Sequence, residues 1–355
     1  MSVVKTTFTD LIGIDYPILQ APMIGGFSTP EMVAAVSNLG ALGSLALGNS
    51  SPEAISDECI KTFQLTDKPF AANFFVTQHI SRPSVDESIK AIAALRPYYE
   101  ELGLVPLLPE QIDHSSTQNL HDQIDAVINM NVPIVTFTFG IPSLDLIKKL
   151  KSYGVTVIAT ATSFTECQMI EKAGFDAVVL QGISAGGHRA SFLTDGKNGP
   201  DTDLLYQQTR SLISIPKIVA GGIRNGSQIA DYLRQGVSAC QLGTPYLLTN
   251  EANVNEFYLS SIQSGTKETC LSKAYTGKYG RLLCNRFTSE MANKSFLSFP
   301  LQGKLTAEIS NKAATYRKYD LLPLWLGQSP AVDKKQTTES LTKKLINELN
   351  VAMCN

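Results

Sequence analysis

Residues 155–182, VTVIATATSFTECQMIEKAGFDAVVLQG, decide the fold. Val155–Thr162 is a β-rich apolar run. Ser163 then offers a hydroxyl cap to a helical stretch that reaches Ala173, and Gly174 closes it. Ala177–Gly182 is a second apolar run. Both runs are apolar on alternate positions of either parity, as strands covered on two faces must be. Strand, helix and strand in this order form a βαβ unit with parallel strands.

The same scheme extends in both directions. Upstream lie the runs Tyr16–Met23, Leu42–Leu47, Phe70–Val76 and Val132–Phe139; downstream lie Pro216–Ile223 and Ala239–Leu247. Ser28-Thr29-Pro30-Glu31 starts a helix, with a hydroxyl cap, proline at the first position and an acid in the first turn. Asn225–Gln235 is another, closed by Gly236. The long spacer 80–131 has room for two helices. Eight strands alternating with helices predict an α/β fold, a (β/α)8 TIM-type barrel. An open doubly wound sheet is the rival, but no G-x-G-x-x-G follows the first strand, where a dinucleotide fold places it. After Leu248 the alternation stops. We read 1–248 as the barrel, 249–315 as a smaller, mostly helical lid or insertion over its mouth, and 316–355 as helices returning to it, Lys343–Ala352 being the clearest.

Composition excludes several classes of function. Lys and Arg number 30 against 32 Asp and Glu, so no strong field favours nucleic acid or an anionic membrane. No apolar run reaches the roughly 18 residues of a membrane span, and the N-terminus has no signal pattern. The six cysteines form no C-x-x-C pair, which fits reduced thiols in a soluble cytoplasmic protein. H-E-x-x-H, a carboxylate cluster and clustered Cys/His are absent, so no metal is expected. G-x-S-x-G is absent as a strand-to-helix nucleophile elbow, which argues against a hydrolase triad.

In such a barrel, function gathers at the C-terminal ends of the strands. Strand one ends in Gln20-Ala21-Pro22-Met23, and strand three contains Asn73. Strand six runs through Gln181 into a loop with Gly182, Gly186 and Gly187 that delivers His188, one of four histidines. His79, His114 and His121 sit in unremarkable polar surroundings. Strand seven ends in Gly221-Gly222, and strand eight in Gln241-Leu242-Gly243-Thr244. Glycines at those two adjacent ends free backbone N–H groups to face a phosphate, and the Thr244 hydroxyl can add a donor. Gln181 and Asn73 can hydrogen-bond a flat heterocycle, or simply satisfy buried backbone. His188 can act as general base, or bind an anion when charged. A flavin mononucleotide, FMN, fits a phosphate pocket, a flat-ring pocket and one histidine.

Several ordered stretches resemble the nitronate monooxygenases, formerly called 2-nitropropane dioxygenases, in their class I form. They are Gln20–Glu31 (QAPMIGGFSTPE), Ser37–Gly43, Gln181–Arg189 (QGISAGGHR), Ala220–Ile223 (AGGI), Gln241–Thr244 (QLGT) and Leu324–Gln328 (LWLGQ). The resemblance implies an FMN-dependent barrel that oxidises alkyl nitronates, such as propionate 3-nitronate, with O2 to a carbonyl compound and nitrite. It implies that Ala21, Pro22, Met23, Asn73, Gln181, Gly186, Gly187, Gly221, Gly222, Gln241, Leu242, Gly243 and Thr244 surround FMN. His188 would be catalytic, taking the α-proton of a nitroalkane or holding the nitronate. The expected partners are that small molecule and O2, with no nucleic acid or membrane, in a monomer or homodimer.

Two positions depart from the family pattern: Ser184 stands where it usually has Glu, and Ala190 where it has Gly. Losing an acid near the histidine lets its pKa sit lower. Two other functions stay open on the sequence. One is an FMN-dependent NAD(P)H reductase acting on a quinone or an enoyl thioester. The other is a non-catalytic FMN-binding barrel. Which of Tyr275, Lys278, Tyr279 and Lys304 reach the pocket is not fixed by sequence.

Overall fold

The computed structural model describes residues 3–76, 82–112, 119–263, 268–328 and 334–354. His79 and His114 lie outside the described residues.

Eleven strands are present among the described residues. Six come in order as β1 (Ile18–Gln20), β2 (Gly43–Ala46), β3 (Phe70–Phe75), β4 (Ile134–Thr138), β5 (Thr156–Ala161) and β6 (Ala177–Gln181). A short β7 (Gly187–His188) follows, then β8 (Lys217–Ala220), β9 (Ala239–Leu242), β10 (Thr269–Ser272) and β11 (Gly280–Leu283). Eight are parallel in the order β1-β9-β8-β6-β5-β4-β3-β2. The two ends of that row meet: Leu19 bridges Leu42 in parallel, and the Leu42 N–H donates to the Ile18 carbonyl at 2.9 Å. The sheet is therefore a closed barrel, and the open-sheet rival falls away. All eight expected runs are barrel strands.

The helix signals act as their chemistry requires. Thr29 caps Pro30–Asn38 by accepting from the Met32 N–H. Ser163 caps Phe164–Lys172 through the Glu166 N–H, and Asn225 caps Gly226–Arg234 through the Gln228 N–H. The spacer after β3 holds the helices Val85–Glu101 and Leu120–Asn129. The chain returns in the helix Thr338–Cys354, which packs on Gly226–Arg234.

Barrel strands point alternate residues inward. The lower inward positions, among them Leu19, Ala71, Ile134, Ile158, Ala177, Ile218 and Ala239, form one buried cluster with Phe8, Ile12 and Ile14. The N-terminal helix Thr7–Ile12 thus plugs the barrel where the strands begin. Two residues further along the same inward rows the side chains become Asn73, Thr136, Thr160 and Gln241, and these line a cavity. The floor is apolar and the mouth is polar, so binding is confined to the C-terminal end.

Residues 249–315 contain helices, notably Leu301–Thr315, as the sequence reading expects. They also contain β10 and β11, which it does not expect. β11 pairs antiparallel with β10 on one side and with β7 on the other. The loop after β6, read from its glycines as a turn, becomes a strand because this distant hairpin supplies its partner.

Candidate active site

The cavity at the barrel mouth is bordered by His188, which keeps some accessible surface there. The imidazole sits among rings: Trp325 at 4.8 Å between centroids, Phe299 at 5.7 Å and Phe139 at 5.9 Å. Burial, with the Lys278 ammonium as a lesser cause, pushes its pKa down to about 4. His188 is therefore a neutral imidazole at pH 7. Its Nε2 lies 2.9 Å from Thr276 Oγ1, and that hydroxyl donates to the Lys278 carbonyl at 3.2 Å. One hydroxyl has one proton. With it on the carbonyl, Nε2–H donates to the threonine oxygen and Nδ1 carries the lone pair.

Three devices hold the His188 strand. Its residues pair with Gly280 and Arg281 of β11. Gln181 Nε2 donates to the His188 carbonyl at 3.0 Å, while Gln181 Oε1 accepts from the Ala190 N–H at 2.9 Å and Arg189 Nη1 at 3.1 Å. Arg189, fully buried, also donates to the Gly182 carbonyl at 2.7 Å. Gln181 thus braces the loop as well as bordering the cavity. Ala190, where the family pattern has Gly, is not in the left-handed region, so its β-carbon is tolerated.

Beside this loop, on the neighbouring strands, lie the ends of β8 and β9. Gly221 and Gly222 have φ of +120° and +76°, a conformation that side chains resist. A β-carbon on Gly221 would stand 2.9 Å from Ser184 Oγ and 3.0 Å from the Ala185 nitrogen. A β-carbon on Gly243 would meet nothing closer than Ala21 Cβ at 3.6 Å, so that glycine keeps the cavity itself open. Arg224 follows this cradle and borders the cavity, and its Nε is buried with no partner. Among the described residues it is the one Lys or Arg lining the cavity, which no Asp or Glu lines. Bare backbone beside an unspent guanidinium suits a phosphate monoester. The residues present therefore fit a flavin phosphate at this end.

Of the expected contacts, all but one border the cavity: Ala21, Pro22, Met23, Asn73, Gln181, Gly186, Gly187, Gly221, Gly222, Gln241, Gly243 and Thr244. Leu242 does not. It follows the inward-facing Gln241, so its side chain turns to the outer core, while its carbonyl accepts from the Ala21 N–H at 2.9 Å. Asn73 spends its amide hydrogens on Thr136 Oγ1 at 2.8 Å and Thr138 Oγ1 at 3.1 Å. Thr244 Oγ1 accepts from the Gly327 N–H at 3.0 Å and keeps its own proton. None of Tyr275, Lys278, Tyr279 and Lys304 borders the cavity. Lys278 donates to the Ser191 carbonyl at 2.7 Å, behind the ring of Phe139. Arg224, Phe75, Phe139 and Tyr258 border it without having been singled out.

No group of three His, Cys, Asp or Glu among the described residues can hold a metal, and no helix there is long and apolar enough to cross a membrane.

Comparison with known proteins extends over the whole chain. The family model described as "Nitronate monooxygenase" matches residues 5–348. A protein of Staphylococcus aureus (strain Newman) named "Probable nitronate monooxygenase" is 36% identical over 354 residues, covering 98% of each chain. Among solved structures, nitroalkane oxidase from Streptomyces ansochromogenes superposes with a TM-score of 0.90 at 30% identity, over 98% of this chain and 99% of its own. FabK from Thermotoga maritima gives 0.75 at 26%, over 98% and 97%. Barrel, cradle and relatives together define a flavin-dependent oxidoreductase. The chain belongs to the nitronate monooxygenase family, whose chemistry is flavin-dependent nitronate oxidation.

Proposed function

We propose that this chain binds FMN and uses it to oxidise alkyl nitronates with O2 to a carbonyl compound and nitrite, with His188 as the base that makes nitronates from neutral nitroalkanes. The observation that carries the base role is the neutral imidazole on the cavity wall, held by Thr276 through Nε2. A histidine with a pKa near 4 is unprotonated at neutral pH and is free to accept a proton. On accepting it, the imidazolium faces the anion it has just formed, which favours both charges. Arg224 and the Gly221-Gly222 amides take the phosphate, which orients the ring system toward β6 and His188. Bound FMN supplies the electron transfer and the O2 chemistry. In this reading residues 1–248 hold the flavin, 249–315 cover it, and 316–355 return to complete the wall.

The purified protein should be yellow and should take up O2 with ethyl nitronate. His188→Asn should lower kcat/KM on neutral nitroethane by about 100-fold or more while sparing preformed ethyl nitronate. Equal losses on both substrates reject the base role, and a protein that cannot be reconstituted with FMN rejects the reading as a whole. The similarity to FabK favours a second reading, an FMN-dependent reductase fed by NAD(P)H. Rapid anaerobic bleaching of the flavin by NADPH, without O2 uptake on nitronates, would select it.

A further inference from the structure

We propose that Cys270 and Cys284 form a redox site: a pair of thiols that a peroxide closes into a reversible disulfide, fixing the hairpin on which the His188 strand depends. The pair acts whatever substrate the barrel takes.

Register puts the two sulfurs together. Cys270 lies in β10 directly opposite Leu282 of β11, and Cys284 comes two residues after Leu282. Residues opposite one another share a sheet face, and so does the next residue but one. Both thiols therefore project from the same face as diagonal neighbours. The Cys284 N–H carries the ladder on by donating to the Glu268 carbonyl at 2.9 Å. The two side chains hydrogen-bond to each other. Cys270 is half-buried and Cys284 exposed, so a small oxidant reaches both, unlike the buried Cys59, Cys167 and Cys240. The Arg281 guanidinium interacts electrostatically with both sulfurs, and a neighbouring cation favours thiolate.

The chemistry closes on these two residues and one peroxide. Partial desolvation, then the Cys270 side chain, push the Cys284 thiol up to about 12. Cys284 therefore keeps its proton, and Cys270 makes the first attack. Its thiolate displaces hydroxide from hydrogen peroxide: an S–O bond forms, the O–O bond breaks, and Cys270 becomes a sulfenic acid. The hydroxide takes up the proton that Cys270 released. Cys284 then attacks the Cys270 sulfur. The S–S bond forms, the S–O bond breaks, and the second hydroxide leaves as water with the Cys284 proton. Two thiols lose two electrons and two protons, and one peroxide becomes two waters.

The effect reaches the site through β11. Gly280 and Arg281 pair with His188 and Gly187. Arg281 Nε donates to the Ile183 carbonyl at 2.9 Å, and its Nη1 donates to Thr269 Oγ1 of β10 at 3.1 Å. A disulfide closes residues 270–284 into a loop, so β10 can no longer separate from β11 and loosen the partner of β7.

The test gives the full-length protein, reduced and desalted, a fewfold molar excess of hydrogen peroxide in its native state. Free thiols are then blocked and the chain is digested with trypsin. Cleavage after Lys273 and Arg281 separates the cysteines, so the disulfide appears as a linked peptide pair that dithiothreitol divides. The expected result is that pair in most molecules, with the thermal midpoint raised by about 3 °C. Cys270→Ser and Cys284→Ser, made separately so that one suffices, should each abolish the linkage and the rise. In Cys284→Ser, dimedone should trap Cys270 as the sulfenic acid. Thiols that both remain free to alkylate, a sulfinic acid without linkage, or pairing with another cysteine or another chain overturns the site. A linked pair with an unmoved midpoint overturns its role in fixing the hairpin.

Discussion

At His188 the decisive quantity is which nitrogen holds the proton. Thr276 bears on it, because its hydroxyl lies 2.9 Å from Nε2 and 3.2 Å from the Lys278 carbonyl. Thr276→Val removes the oxygen that Nε2 bonds. It should lower kcat/KM on a neutral nitroalkane by about 10-fold, the value of one good hydrogen bond, and Thr276→Ser should restore it. A loss on preformed nitronate of the same size would show only a packing defect. The pH profile follows from the same residue. With the imidazole pKa at about 4, kcat/KM on nitroalkanes should be flat from neutrality downward and fall only as the pH approaches that value. A steep loss near pH 6.5 would mean an ordinary, solvated histidine. At this scale the sequence was readable for His188, since a rare titratable residue followed a run of glycines. It was silent on Phe139, because strand alternation assigns that residue to the outer face and only its left-handed backbone reverses it. Leu242 does not border the cavity, because its neighbour Gln241 takes the inward position.

Among the elements, the end of β8 carries the clearest division of labour. Gly221 and Gly222 clear the space, and Arg224 supplies the charge. Arg224→Met should weaken FMN binding by about 10- to 100-fold, as expected for losing a charged hydrogen bond. Riboflavin, which lacks the phosphate, should bind equally well to both proteins, and a parallel loss for riboflavin would place Arg224 elsewhere. The glycines were legible because two strand ends carried them together. Arg224 was not, since backbone amides alone suffice to explain a phosphate site. The barrel strands were legible because each is a local apolar run bounded by its own helix caps. β7, β10 and β11 are not local in that sense: each is short, none alternates cleanly, and β7 exists only because β11 lies beside it.

Across the whole molecule, the C-terminal helix Thr338–Cys354 braces the helix that follows the Gly221-Gly222 turn. Glu348 Oε2 accepts from the Gly226 N–H at 2.8 Å, and a β-carbon on Gly226 would stand 2.3 Å from the Leu349 nitrogen. Gly226→Ala should therefore destabilise the fold by about 2 kcal/mol, visible as a lower thermal midpoint, and should loosen FMN. His188 has its own effect on stability. Its folded pKa is depressed below the unfolded value of about 6.5. The unfolded chain then binds more protons between those limits, so stability is full above pH 6.5 and declines as pH falls toward 4. The thermal midpoint of His188→Asn should fall less steeply over that window than that of the parent protein.

The ladder between β7 and β11 has a kinetic consequence. The Arg189 N–H donates to the Tyr279 carbonyl at 2.8 Å, Arg281 Nε donates to the Ile183 carbonyl at 2.9 Å, and the Gln328 N–H donates to the Ser184 carbonyl at 2.8 Å. His188 belongs covalently to the loop after β6 but is stitched to β11 and to the segment around Gln328. Displacing either would drag His188 off its station. The Arg189 and Gln328 amides should then exchange with solvent deuterium as slowly as those of the barrel strands, and turnover should not be gated by an opening step.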